Sequence, residues 1–314
     1  ASFSVLGLVM DRSHRADEAA AEIALKWSRE QIINGPIITI PVRKTVLTAA
    51  GPQITEDVIF LLPDSLQYEM ALETETRSRG IFEAAVYTSR VTGTGVFNLD
   101  DLDISHVDGV IQWNNAKVSI GIPDTRGVES GAELVWNGKK LSFESGVPAD
   151  AIGLAGMSAP VTLEQRKKEN TFSFELILRG SEGIHIIPLG KTTSASISSV
   201  WPSPSFTGEF LPQEHSITDA GFTARWNISS FGRSLPQSWV DTKAGANKTI
   251  QENMNKSAFG VSLHQDVDFY TQANRAVKYS ILFITLTFLS FFMFEVLSGL
   301  RIHPLNYFLV GLAI

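Results

Sequence analysis

The chain has no cysteine, which removes structural disulfides, CxxC redox chemistry, thiolate zinc sites and cysteine nucleophiles together. It also lacks an excess of basic charge. Lys and Arg number 26 against 33 Asp and Glu, a net charge of −7, whereas a nucleic-acid binder would show a basic face. The six histidines (His14, His106, His185, His215, His264 and His303) are scattered, and no HxH or HExxH spacing supports a metal centre. There is no GxSxG elbow, P-loop or dinucleotide fingerprint. No repeat with a period of about 20 to 50 residues marks a solenoid or propeller. No cofactor and no small-molecule substrate is therefore expected.

Against these absences stands one long apolar run, residues 279–300, YSILFITLTFLSFFMFEVLSGL. It is 22 residues long and Glu295 is its one charged side chain. A helix of that length reaches about 33 Å, enough for a hydrocarbon core of about 30 Å. A transmembrane helix is expected there. The polar lead-in at 267–278 is expected to be a membrane-proximal linker, with Asp268, Tyr270 and Arg275 at the interface. Arg301, His303 and Pro304 form a turn, after which a further apolar segment, 304–314, reads as the start of another membrane helix.

The N-terminal residues 1–10 are apolar but too short to span alone. They read as the exit end of a first transmembrane helix in a natural protein that extends at both ends. Residues 11–33 follow a helical period through Ala16, Ala19, Ile23 and Trp27, which predicts a juxtamembrane stalk ended by Asn34-Gly35-Pro36.

From 36 to 266 the pattern is β almost throughout, a dozen or more short strands punctuated by Gly and Pro. Phe172, Phe174, Leu176 and Leu178 alternate in register. Asn137-Gly138 between Leu134–Trp136 and Lys139–Phe143 suits the two positive-φ positions of a type I′ hairpin. The fold class is mainly β, a sandwich or elaborated barrel. Short cationic connections favour the cytoplasm, so Arg301 and His303 place the large domain on the opposite side of the membrane.

Few residues suggest a site. The stiff segment Trp201 to Pro212, with Phe206 and Phe210 within it, is either a partner-binding ridge or a crossover whose rings plug the core. Asp100, Asp101, Asp103, His106 and Asp108 could hold a cation, but lack the glycine and terminal Glu of an EF-hand loop. Glu295 is an acid in an apolar span, where such groups face a partner or a bundle interior. Hydrogen bonding to another helix is the expected role, and Arg301 and His303 are expected to be interfacial.

Longer strings then become recognisable. Trp201-Pro-Ser-Pro-Ser-Phe-Thr-Gly-Glu-Phe-Leu-Pro212, Gly221-Phe-Thr-Ala-Arg-Trp226, and Arg275 to Tyr279 leading into Phe283 to Ala313 resemble the CreD family of bacterial inner-membrane proteins. Asp124-Thr-Arg-Gly127 agrees. The resemblance implies an N-terminal membrane helix, a large periplasmic domain and a cluster of C-terminal membrane helices. It also implies a multi-pass inner-membrane location and a role in cell-envelope integrity, but no biochemical activity. The resulting expectation is a non-enzymatic protein that contacts the lipid bilayer and binds a protein in the inner membrane or periplasm, or another envelope component. An envelope hydrolase with a site assembled from distant residues is the alternative, and a transporter is a third.

Overall fold

The computed structural model describes residues 14–15, 18–19, 21–48, 51–80, 82–105, 107–148, 155–241, 248–263, 269–299, 303–306 and 308. The chain divides into two units, residues 21–264 and a second drawn from both ends, 1–20 and 265–314. The first unit opens with helix α1 (residues 21–27). Strands β1 (Gln31–Thr48), β2 (Gly51–Leu61), β3 (Ser65–Arg79), β4 (Phe82–Asn98), β5 (Val110–Ile111) and β6 (Ala116–Gly121) follow. Then come β7 (Glu133–Trp136), β8 (Lys139–Ser142), β9 (Glu144–Ser145), β10 (Gly156–Val161), β11 (Glu169–Ser181) and β12 (Gly183–Ile186). The last six are β13 (Thr192–Ser199), β14 (Pro204–Gly208), β15 (Glu214–Thr218), β16 (Gly221–Ser229), β17 (Ser238–Asp241) and β18 (Phe259–Leu263). Helix α2 (Lys248–Lys256) interrupts the strands between β17 and β18, inside a region whose sequence reads as β.

These strands make two mixed sheets. One has ten strands with the path β14-β18-β12-β1-β6-β10-β9, to which β2, β5 and β17 add. The other has eight in the order β15-β16-β13-β3-β4-β11-β7-β8. Among the described strand pairs only β1 with β12 and β3 with β13 run parallel. The inner faces share one core. Trp226 on β16 lies 5.5 Å from Phe259 on β18, and Phe206 on β14 lies 5.9 Å from both Phe222 and Trp226. Tyr87 on β4 donates to the carbonyl of Gly183 across the layers at 2.8 Å.

Strand β11 shows why these residues make a sheet. Phe172, Phe174, Leu176 and Leu178 are buried on one face, and Thr171, Ser173, Glu175 and Ile177 stand on the other, as a period of two requires. The Asn137-Gly138 turn has φ of 49° and 81° and pairs Trp136 with Lys139, the conformation that Asn and Gly tolerate best.

Two boundaries differ from the pattern. The stalk expected over 11–33 gives way earlier, because the helix ends at residue 27 and β1 begins at Gln31. Asn34-Gly35-Pro36 therefore lies inside a strand, where the register against β6 shifts between Asn34 and Ile37. Proline donates no hydrogen bond and is tolerated at such an irregularity. Gly35 is required there, since a Cβ would meet the Ile120 Cα and the Ser119 carbonyl, both at 2.8 Å. Pro41, whose sequence suggests a strand end, is likewise passed over. Pairing with β6 stops at Thr39 and pairing with β5 starts at Val42, so the missing donor falls in the gap.

In the second unit helix α3 (Phe269–Ser298) runs 30 residues without a break, about 45 Å at 1.5 Å per residue. Of the linker expected over 267–278, residues 269–278 are thus part of the same helix. Nine large apolar side chains on it are exposed, from Leu282 and Phe283 through Phe292 and Phe294 to Leu297. Thr287, Ser290 and Ser298 donate to the carbonyls of Phe283, Leu286 and Phe294. Among the described residues no helix meets the length and apolarity of a membrane span, so the transmembrane helix expected at 279–300 is not found as one. The segment expected over 1–10 lies outside the described residues.

Candidate functional site

The eight-stranded sheet leaves its outer face open, and the register shows what lies there. On β13, Ser194, Ser196 and Ser198 alternate with the inward residues Ala195 and Ile197. They pair with Gln67, Glu69 and Ala71 on β3, and with Asn227, Arg225 and Thr223 on β16. Side chains i and i+2 share a face, so a line of serines runs between longer neighbours. The result is a groove of about 540 Å³ whose floor is Ser194, Ser196, Ser198 and Ala71, with Arg225 on one wall and Gln67, Glu69 and Arg90 on the other. A second depression, about 470 Å³, shares Ala71 and Ser198 and extends towards Thr218 and Thr223. Arg90 is held by Glu175 at 2.5 Å and Arg225 by Glu214 at 3.6 Å, while Gln67 donates to Glu69 at 3.0 Å. These exposed pairs contribute little to stability. The side chains can hydrogen-bond an extended, polar ligand of mixed charge. No histidine is among the residues that line this groove.

A second polar arrangement lies on the ten-stranded sheet. His185 on β12 receives Glu30 at Nδ1, 3.2 Å away, and its Nε2 is 2.8 Å from the Thr207 hydroxyl on β14. Ser262 on β18 places its hydroxyl 3.2 Å from that of Thr207. The hydrogen bond from His185 holds the Glu30 carboxyl below its ordinary range, against burial, which raises it. Four residues from four separate segments meet here, and their sequence neighbourhoods carry no motif. The one local signal is Gly260, a glycine inside a strand, which marks a close approach.

The residues singled out by the sequence are placed as follows. Phe206 packs against Phe222 and Trp226 and lies 5.5 Å from the His215 ring. Phe210 meets Phe259 edge-on at 6.3 Å, and its carbonyl accepts the Trp226 indole N–H at 3.1 Å. Trp201 is half-buried against the same core. The rings of this segment thus close the end of the two-layer core. In the acidic loop, Asp100 is paired with Lys168 at 2.8 Å and Asp101 with Lys191 at 2.7 Å; His106 lies outside the described residues. Glu295 sits on α3, where its carbonyl accepts from Gly299. His303 accepts the Leu305 N–H at Nδ1, 3.3 Å, and opens a helical turn at 304–306. Arg301 lies outside the described residues.

A two-sheet β unit, with a second unit that holds a long helix rich in exposed apolar side chains, defines a mainly β protein. The family model described as "Inner membrane protein CreD" matches residues 1–314. The Inner membrane protein CreD of Escherichia coli (strain K12) is 30% identical over 312 residues, 98% of this chain and 68% of that protein. The chain belongs to the CreD family.

Proposed function

We propose that this chain is an integral inner-membrane protein whose β unit stands in the periplasm and binds a protein or another envelope component through a non-catalytic groove, in support of cell-envelope integrity. The groove on the eight-stranded sheet carries this reading. It is an open face with short side chains along its floor and fixed charges at its walls, a surface suited to an extended polar partner.

Helix α3 is the anchor in this reading. Its nine exposed apolar side chains would leave on the order of 10 kcal/mol of burial unrealised in water. Its hydroxyls turn back onto the helix carbonyls, the arrangement lipid demands of polar groups. His303 and Pro304 begin the return, so the chain crosses more than once. Glu295 then faces a neighbouring helix.

The lack of cysteine in these 314 residues simplifies the test. A Ser196→Cys variant in spheroplasts is expected to react with a membrane-impermeant maleimide, and reaction only after permeabilisation overturns the periplasmic placement. Ser194→Arg with Ser196→Arg fills the groove. This double variant is expected to fail to complement an envelope-stress phenotype while remaining folded; full complementation overturns the binding reading.

A further inference from the structure

Glu30, His185 and Thr207 are brought together by the sheet. In register across the ten-stranded sheet run Ile32, His185, Gly260 and Thr207. Ile184 and Ile186 are buried on the inner side, so His185 stands on the outer face, and Thr207 shares it two strands away. The position between them has no side chain. A Cβ on Gly260 would meet the Ile184 carbonyl at 2.1 Å and the His185 Cα at 2.7 Å. The glycine lets the imidazole and the hydroxyl meet at 2.8 Å across an intervening strand.

The carboxylate is also held. Its neighbours on both sides are pinned: the Arg29 N–H donates to Asp124 at 3.2 Å, and the Gln31 amide donates to the carbonyls of Asp124 and Arg179, both at 3.1 Å. Glu30 is fixed between these anchors, 3.2 Å from Nδ1. Its oxygen accepts a hydrogen bond from the Nδ1–H, and this fixes the tautomer in which Nε2 accepts from Thr207. Ser262 then donates to the Thr207 oxygen. The His185 side chain is 12% exposed and that of Glu30 45%, so the imidazole is shielded while the site stays open at its carboxylate edge.

We propose that Glu30, His185 and Thr207 form a hydrolytic site for carboxylic esters, with Thr207 as nucleophile, His185 as general base and acid, and Glu30 as the positioning residue. The connectivity is that of the hydroxyl, imidazole and carboxylate relay, which is recognised by geometry rather than by sequence order. The Thr207 oxygen bonds to the acyl carbon as its proton passes to Nε2. The tetrahedral adduct expels the alcohol, which takes that proton from His185. Water then adds to the acyl-threonine and gives a proton to Nε2. The acid leaves, and the proton returns to Thr207. No oxidant or further reactant is required. The site is on the opposite sheet from the groove, and its failure would leave the binding reading untouched.

The test uses the full chain in detergent, a fluorophosphonate probe and p-nitrophenyl butyrate. Thr207 is expected to carry the label, located by peptide mass spectrometry. Thr207→Val, nearly equal in volume, is expected to lose labelling and to lower hydrolysis at least about 100-fold with an unchanged denaturation curve. Thr207→Ser is expected to restore both. Glu30→Gln is expected to lower kcat/KM at least about tenfold and to move the acid limb of its pH profile, which a merely structural change would not do. An unlabelled but folded wild-type chain between about pH 5 and 9 overturns the proposal. So does labelling that persists in Thr207→Val or falls on Ser262.

Discussion

Strand β11 and helix α3 both carry phenylalanine and leucine in quantity, yet they dispose of it in opposite ways. In β11 the rings of Phe172 and Phe174 face the core, and Ser173 and Glu175 face out. In α3 Leu282, Phe283, Leu286, Leu289 and Phe292 are exposed around the helix, and its polar groups, not its apolar ones, turn inward. Water requires the first arrangement. Hydrocarbon permits the second and penalises unsatisfied polar groups instead. Under the proposed membrane anchoring, the two elements face two solvents in one chain.

The largest expected effect breaks the helix side of this contrast. Leu286→Lys with Leu289→Lys places two charges mid-span, at roughly 3 kcal/mol each. The variant is expected to fall several-fold in its steady-state level in the membrane fraction, and an unchanged level refutes the assignment of α3. On the strand side, Phe174→Ala opens a cavity in the shared core and is expected to cost about 3 to 5 kcal/mol. The measurement is urea denaturation of the purified chain. The same substitution at Phe292 is expected to leave that transition within about 0.5 kcal/mol, because the side chain makes no core.

A smaller effect concerns the corner that feeds β1. Asp124 accepts from Arg126 and from the Arg29 N–H, and the Arg126 guanidinium holds its carboxyl well below the ordinary 3.8. The folded group therefore stays ionised where the unfolded chain binds a proton. Its contribution is present above about pH 4 and is lost as pH falls through the folded value. Asp124→Asn is expected to cost about 2 kcal/mol near neutrality and to flatten the acid limb of the stability profile. An unchanged limb would remove Asp124 from that role.

Much of the fold was legible because it rests on local rules. The alternation of Phe172 to Leu178 and the positive-φ pair Asn137-Gly138 each declare a strand or a turn within a few residues. Helix α2 was not legible, because its nine residues lie inside a β-rich region and, among its described side chains, only Met254 is deeply buried. Nor was the continuation of β1 past Pro36 and Pro41, which depends on which neighbour pairs at each step. The relay was the least legible part. Glu30, His185 and Thr207 are ordinary residues in their own segments, and only the strand order brings them into contact. The serine floor of the groove is visible in the sequence as alternation, but its walls come from β3, β4 and β16.

The strand order also sets a timetable for folding. Hairpin β3–β4 can close as soon as its own residues exist. The other edge of β3, however, pairs with β13, and Ser65 finds Thr192 only 127 positions later (192 − 65). The first three residues of β1 likewise wait for β12, Gln31 for Ile184. Until then the eight-residue edge of β3 and the short start of β1 stand unpaired, and such edges recruit other chains. Assembly of this domain is therefore slow and late, and the cell must keep the nascent chain apart from its copies until the strands near residue 200 arrive.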